Sequence, residues 1–193
     1  MFINVLTLQR PERMDAFIAQ SKVQGFSYRE WVGAIEDAPV RNINKSHRAI
    51  VQEAKEMGRC SVMICEDDIQ FTCKTAYKHY VDNMPQDYDV YFGGVSGGNI
   101  KLNDSTVSFF SGMFLYTVHE RFYDAFLAAD PDSNIDRWIS NLGTKKITEM
   151  LGRPPVYKIC YPMVAITSNG WSDNFGCEMD YSKYFRQYEL YKG

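Results

Sequence analysis

A chain of 193 residues with 45% hydrophobic and 23% charged side chains holds enough apolar material for one substantial core, which excludes a disordered chain and leaves no room for two ordinary domains without a visible linker. A formal net charge of -3 with no Lys/Arg block provides no footprint for a phosphate backbone, so nucleic acid is excluded as a partner. The five cysteines are odd in number and form no C-x-x-C pair, so they signal neither a disulfide framework nor a zinc site and read as reduced thiols.

The expected organisation is a single domain over residues 1–193. "FINVLTL" is rich in β-branched and apolar residues and predicts a first strand, and "RPERMDAFIAQ" predicts a helix started by Pro11, with Met14, Phe17 and Ile18 at helical spacing. "YREWVGAI" is a weaker strand candidate. In "NKSHRAIVQEAKEMG", Ile50, Ala54 and Met57 share one helical face, with Asn44 or Ser46 as cap and Gly58 as stop. Val62, Met63, Ile64 and Cys65 then form the short apolar run of a strand covered on both faces, ending abruptly in Glu66, Asp67 and Asp68. "YDVYFGG" predicts another buried strand, "SGGNIKLNDS" an exposed loop, and "VSFFSGMFLY" a further strand.

Thr117 with Glu120 matches a capping box before a helix carrying Phe122, Ala125, Phe126 and Ala129 and broken at Asp130-Pro131. Ser133 with Asp136 matches a second box leading into "RWISNLG", and "TKKITEMLG" predicts a short helix ending at Gly152. "VYKICYPMVAI" is the last strand-like region and "SNGWSDNFG" a polar loop. In the tail, residues 178–193, Tyr181, Tyr184, Phe185, Tyr188 and Tyr191 fall at helical spacing and predict an aromatic helix packed on the domain. Alternating strands and helices predict an α/β fold with a mainly parallel sheet flanked by helices.

The acids end a strand, and in open α/β sheets the carboxyl ends of strands are where ligands bind. Adjacent carboxylates repel, and a divalent cation between them removes part of that cost. A hard ion such as Mg²⁺ or Mn²⁺ takes oxygen ligands shared between one or two protein carboxylates and substrate phosphates. On an extended chain Glu66 and Asp68 point the same way, toward a metal-bound diphosphate, while Asp67 points elsewhere, toward a sugar hydroxyl. The alternative is a solvated acidic turn.

Taken in order, "VLTLQRPERMDAF", "NKSHRAIVQEAKEMGRCSVMICEDDIQF", "YDVYFGG", "NIDRWI" and "YPMVAITSNGWSD" resemble the blocks of glycosyltransferase family 25, the lipopolysaccharide-type glycosyltransferases. The spacing from Ser46-His47 to Glu66-Asp67-Asp68 is the most specific part, while Thr7-Leu8 departs from that family's Asn-Leu start. The resemblance implies a GT-A-like (Rossmann-like) domain. It also implies metal-dependent, inverting transfer of a sugar from a nucleotide-sugar donor, such as UDP-galactose or UDP-glucose, to a glycan or lipid-linked glycan acceptor in lipopolysaccharide or other surface glycan synthesis. By position, Glu66 and Asp68 become the metal residues and Asp67, Arg10, Arg13, Ser46 and His47 the donor-binding residues.

Arg10 and Arg13 can instead be solvated helix-start residues, and Ser46 and His47 a cap and a surface residue, although a helix N-terminus is also an anion site. The resemblance makes Asp136 the catalytic base, which direct displacement requires, against its structural reading as a capping-box acid. Asp173 is assigned to the metal shell, to acceptor binding or to a plain turn. The apolar start of the chain is too short for a signal h-region and no run reaches the ~18 apolar residues of a membrane span, so the expected location is the cytoplasm or the inner membrane surface, with the aromatic tail as a peripheral contact. A receiver-like phosphorylation domain is disfavoured because its acids follow the first strand, whereas here that strand ends in Gln9-Arg10. The remaining rival is a non-catalytic nucleotide-sugar-binding module of the same fold.

Overall fold

In the computed structural model, which describes residues 2–35, 37–173 and 175–193, the apolar runs fall in strands that alternate with helices. They are β1 (Ile3–Thr7), α1 (Pro11–Gln24), β2 (Tyr28–Val32), α2 (Pro39–Glu56), β3 (Ser61–Glu66), β4 (Ile69–Phe71), α3 (Ala76–Asp82) and β5 (Val90–Gly94). The second half holds β6 (Gly97–Lys101), β7 (Thr106–Ser111), β8 (Leu115–His119), α4 (Tyr123–Leu127), α5 (Ile135–Arg137), α6 (Thr144–Leu151), β9 (Tyr157–Ile159), β10 (Ala165–Thr167), β11 (Gly170–Ser172), β12 (Cys177–Met179) and α7 (Ser182–Phe185).

The central sheet runs β2-β1-β3-β8-β5-β9-β7-β6. β1 pairs in parallel with β2 and β3, and β5 with β9, while β8 lies antiparallel between β3 and β5. An antiparallel strand flanked on both sides leaves β3 and β5 running the same way, so the carboxyl ends of β1, β2, β3 and β5 share one edge. The expected α/β domain with a large helix-flanked sheet is what the chain forms, and β6, β7 and β8 make the sheet mixed.

The apolar run of β3 shows why both faces are covered. Val62 and Ile64 point into one core with Ile50 and Ala54 of α2 and Phe126 of α4, while Met63 and Cys65 point into a second core with Phe17 of α1 and Tyr80 of α3. This is the two-residue period of a strand, with a helical layer on each side. At the end of β5, a Cβ on Gly94 would lie 2.0 Å from the Ala165 carbonyl oxygen, so only glycine lets β10 approach the sheet there.

Several local expectations are corrected. α2 begins at Pro39, so Asn44 and Ser46 lie inside it and neither caps it; Pro39 supplies the start instead. Within "SGGNIKLNDS", Gly97–Lys101 is not loop but β6, paired with β7, while residues 102–105 form the turn between them, and "VSFFSGMFLY" is two strands broken around Gly112. Thr117 lies within β8, and His119 rather than Thr117 accepts from the first turn through Arg121 N–H. The Ser133 hydroxyl donates to Asp130, and α5 is preceded by Asn134 with no side-chain cap, so no capping box forms with Asp136. The polar "SNGWSDNFG" stretch carries β11, half of a hairpin with β12. The tail is helical only over Ser182–Phe185. Its aromatics anchor separately: Phe185 against Phe114, Tyr188 by a bond to Gly98 O, and Tyr191 stacked on His79. Tertiary packing of single rings has overridden a helical periodicity too short to hold itself together.

Gly94→Ala is expected to lower stability by about 2–3 kcal/mol through overpacking against Ala165, measured by urea denaturation; an unchanged midpoint would show that β10 yields freely.

Candidate functional site

The carboxyl ends of β1 and β3 open into a cavity of about 950 Å³, whose walls include Arg10, Arg13, Ser46, His47, Glu66, Asp67, Asp68, Asp136 and Asp173. Residues far apart in the chain thus meet in one place, at the strand ends where an α/β sheet binds ligands.

β1 delivers the arginines. After Thr7 the chain turns through Gln9, which adopts φ 57 with its N–H bonded to Thr7 Oγ1 at 2.9 Å. Arg10 stands just before α1, and Arg13 follows in its first turn. β3 delivers the acids, but not on an extended chain. The strand ends at Glu66, and Asp67 and Asp68 form a turn into β4, held by Asp67 N–H to Leu6 O and Ser168 N–H to Asp68 O. The turn replaces the extended chain on which Glu66 and Asp68 are expected to point the same way. Arg13 Nη1 lies 3.6 Å from Asp67 Oδ1 and 3.2 Å from Asp68 Oδ2, so these two acids share one guanidinium. Glu66 is not on that guanidinium; His47 Nε2 lies 3.6 Å from its Oε1, and its charge is close enough to act on Asp68.

His47 is not on a helix surface. It is 1% exposed, in the middle of α2, with Nδ1 2.6 Å from the Tyr116 hydroxyl. The Ser46 hydroxyl is also committed, donating to Asn42 O at 2.7 Å and accepting from Ala34 N–H at 2.9 Å, which ties α2 to the chain after β2. Tyr116 had no signal in the sequence beyond its place in an apolar run.

Asp136 belongs to another wall. Its Oδ2 accepts from Gly112 N–H at 2.8 Å and its Oδ1 from Arg137 N–H at 2.7 Å, so the carboxylate is fixed by two backbone donors. Gly112 is required for this: it sits at φ 69, and a Cβ there would meet Ser96 Oγ at 2.5 Å and the Phe114 ring at 2.8 Å. A glycine in the middle of "VSFFSGMFLY" was the available sign of such a break. Asp173, in the β11–β12 turn, bonds Arg10 Nη2, 2.5 Å from each carboxylate oxygen.

The electrostatics set these acids apart from an ordinary buried carboxylate. Asp89, fully buried elsewhere, is also pushed up by burial, yet bonds from Arg153 and Val156 N–H, with Arg121 alongside, leave it below the usual range. At the cavity the balance reverses. Burial, then the Glu66 charge, push Asp68 up to about 7 despite Arg13, and burial raises Asp67 against the pull of Thr7 and Arg13. Asp67 Oδ2 and Asp68 Oδ1 are buried with no hydrogen-bond partner. Buried polar atoms are normally satisfied, so two orphaned carboxylate oxygens in one turn invite a cation or donor.

Oxygen donors of this kind suit Mg²⁺ or Mn²⁺. Among the described residues no group of three or more His, Cys, Asp or Glu side chains is placed to hold a metal by itself, so such an ion needs ligand oxygens to complete its shell. The acids fit that partial role.

No protein-family model matches the sequence, and no curated protein matches it. Solved structures do match in fold. A glycosyltransferase involved in glycosylation of the major capsid of PBCV-1 superposes with a TM-score of 0.51 at 10% identity, over 86% of this chain and 93% of that one. HddC from Yersinia pseudotuberculosis, complexed with GMP-PN, gives 0.53 at 11% identity, over 86% and 93%. A mutant Drosophila β-1,4-galactosyltransferase 7, in complex with manganese, UDP-Gal and xylobiose, gives 0.53 at 10% identity, over 100% of this chain and 76% of that one. The likeness establishes a GT-A-like fold.

Because native Asp68 keeps its proton up to about pH 7 while an unfolded aspartate loses it near 4, stability of the ligand-free protein falls as pH rises between those values. Asp68→Asn should therefore melt higher than wild type at pH 7.5, by about 2–4 °C or more, with the gap closing toward pH 4. Thermal melts in chelator across that range check it, and a variant melting no higher at pH 7.5 refutes it.

Proposed function

We propose that this protein is a metal-dependent glycosyltransferase that moves a sugar from a nucleotide-sugar donor, UDP-galactose or UDP-glucose, to a glycan acceptor with inversion, in synthesis of lipopolysaccharide or another surface glycan. The observation that carries the reading is the cavity: three consecutive carboxylates and two arginines at the ends of β1 and β3, with a carboxylate pinned by backbone donors on a further wall. Two of the fold neighbours are described as glycosyltransferases, and one of those is in complex with manganese and UDP-Gal, which supports the same use of the fold here.

In this reading the apolar wall formed by Leu8, Ile35, Val40 and Ile43 takes the base, beside the ends of β1 and β2. Arg10 and Arg13 face the diphosphate through charge-assisted hydrogen bonds. Glu66 and Asp68, with the orphaned oxygen of Asp67 alongside, would hold Mn²⁺ or Mg²⁺, and the chemistry such an ion supplies is neutralisation of charge on the leaving diphosphate. His47 is too buried to touch the donor and acts through Glu66.

Asp136 receives the proton of the acceptor hydroxyl as that oxygen attacks the anomeric carbon and the bond to the diphosphate breaks. Each of its oxygens accepts one backbone bond, which fixes the carboxylate plane and leaves a lone pair on each for the hydroxyl. Among the described residues no helix is long and apolar enough to cross a membrane.

The test is calorimetric binding of UDP, GDP and their sugars with and without Mn²⁺, followed by transfer and donor-hydrolysis assays. Mn²⁺-dependent binding of one nucleotide class is expected, lost in Asp68→Ala. Asp136→Asn should retain donor binding while kcat falls about 10²–10⁴-fold, the range for loss of a general base. Binding without transfer or hydrolysis in the wild type would identify a non-catalytic nucleotide-sugar module, and no binding at all would refute the donor site.

A further inference from the structure

Both arginines at the acidic cluster are already engaged by the chain itself. Arg10 Nη2 sits between the two carboxylate oxygens of Asp173, and Arg13 Nη2 donates to Trp171 O at 2.5 Å. Both contacts come from the β11–β12 hairpin. The cavity is lined by five carboxylates, those of Glu66, Asp67, Asp68, Asp136 and Asp173, against the three guanidiniums of Arg10, Arg13 and Arg137, so a polyphosphate entering it meets an excess of negative charge.

A carboxylate and a phosphate compete for the same guanidinium N–H groups, since both offer paired oxygens at similar spacing. The Arg10–Asp173 pair is also reachable, with side chains 24% and 36% exposed, so an arriving anion can exchange with it. Asp173 gains little from the pairing in stability, because partly exposed ion pairs are weak.

We propose that Asp173 is a resident anion: its carboxylate holds the position on Arg10 that a phosphate of the ligand takes, and it must let go of Arg10 for the site to fill. The proposal rests on reading the cavity as a nucleotide-diphosphate site, and it replaces the alternatives of metal ligand and acceptor contact for this residue. Those roles make opposite predictions. A carboxylate that holds metal or substrate weakens binding when neutralised, whereas a competing carboxylate strengthens it.

The experiment is calorimetry of UDP and, separately, of inorganic diphosphate, each with Mn²⁺, on wild type, Asp173→Asn, Arg10→Gln and the double variant. Asp173→Asn, isosteric and partly exposed, should bind both probes about three- to tenfold more tightly, the scale of a partly exposed ion pair plus one removed like charge. Arg10→Gln should weaken both, and in the double variant the gain from Asp173→Asn should vanish. Equal or weaker binding by Asp173→Asn, or a gain that persists without Arg10, overturns the proposal while leaving the donor site intact if UDP binds wild type. If UDP binds none of the four while inorganic diphosphate still prefers Asp173→Asn, the nucleotide reading falls and the resident anion stands. Failure of both probes on all four proteins overturns both.

Discussion

Two carboxylates nearly withdrawn from water, Asp67 and Asp68, share a single guanidinium and leave one oxygen each unbonded. That arrangement is unfavourable for folding, since burial and mutual repulsion both oppose the charged forms. It persists because its surroundings are rigid. β3 is covered on both faces, Asp67 N–H is fixed to Leu6 O of β1, and the turn is closed by Ser168 N–H on Asp68 O. The well-partnered Asp89 shows that this fold can satisfy a buried acid when only structure is at stake.

The same logic orders the second layer around the cavity. Tyr116 and His47 form a buried pair behind Glu66, linking β8 to α2. Ser46 ties α2 to the chain after β2 rather than starting the helix. Gly112 turns the chain between β7 and β8 and presents an N–H to Asp136. Each of these groups fixes a polar group at the cavity wall, as expected where a site is supported by its neighbours, and the Tyr116 ring is at the same time part of the core.

Much of this was legible in the residues. The single α/β domain, most strands, α1, α6 and the acidic end of β3 follow from periodicity and turn chemistry. The nine site residues expected from the sequence, from Arg10 to Asp173, all line one cavity. What misled were short local patterns with two outcomes. Thr117-x-x-Glu120 and Ser133-x-x-Asp136 have the spacing of capping boxes, but Thr117 is needed in β8 and Asp136 is claimed by Gly112 N–H. The aromatic tail has helical spacing, but its rings are each drawn to a different part of the domain.

The sequence by itself determined which segments are buried, because the unbroken apolar run Val62–Cys65 and the abrupt change at Glu66 are local facts of side-chain chemistry. Only the tertiary structure decided who faces whom. Arg10 and Asp173 are 163 positions apart, and Gly112 meets Asp136 across 24. Those meetings depend on strand order, on β8 entering antiparallel between β3 and β5, and on a turn at Asp67-Asp68 that a strand reading replaces with an extended chain. Local pattern carries no information about long-range pairing, since the same apolar strand satisfies its backbone hydrogen bonds beside any partner that buries its faces.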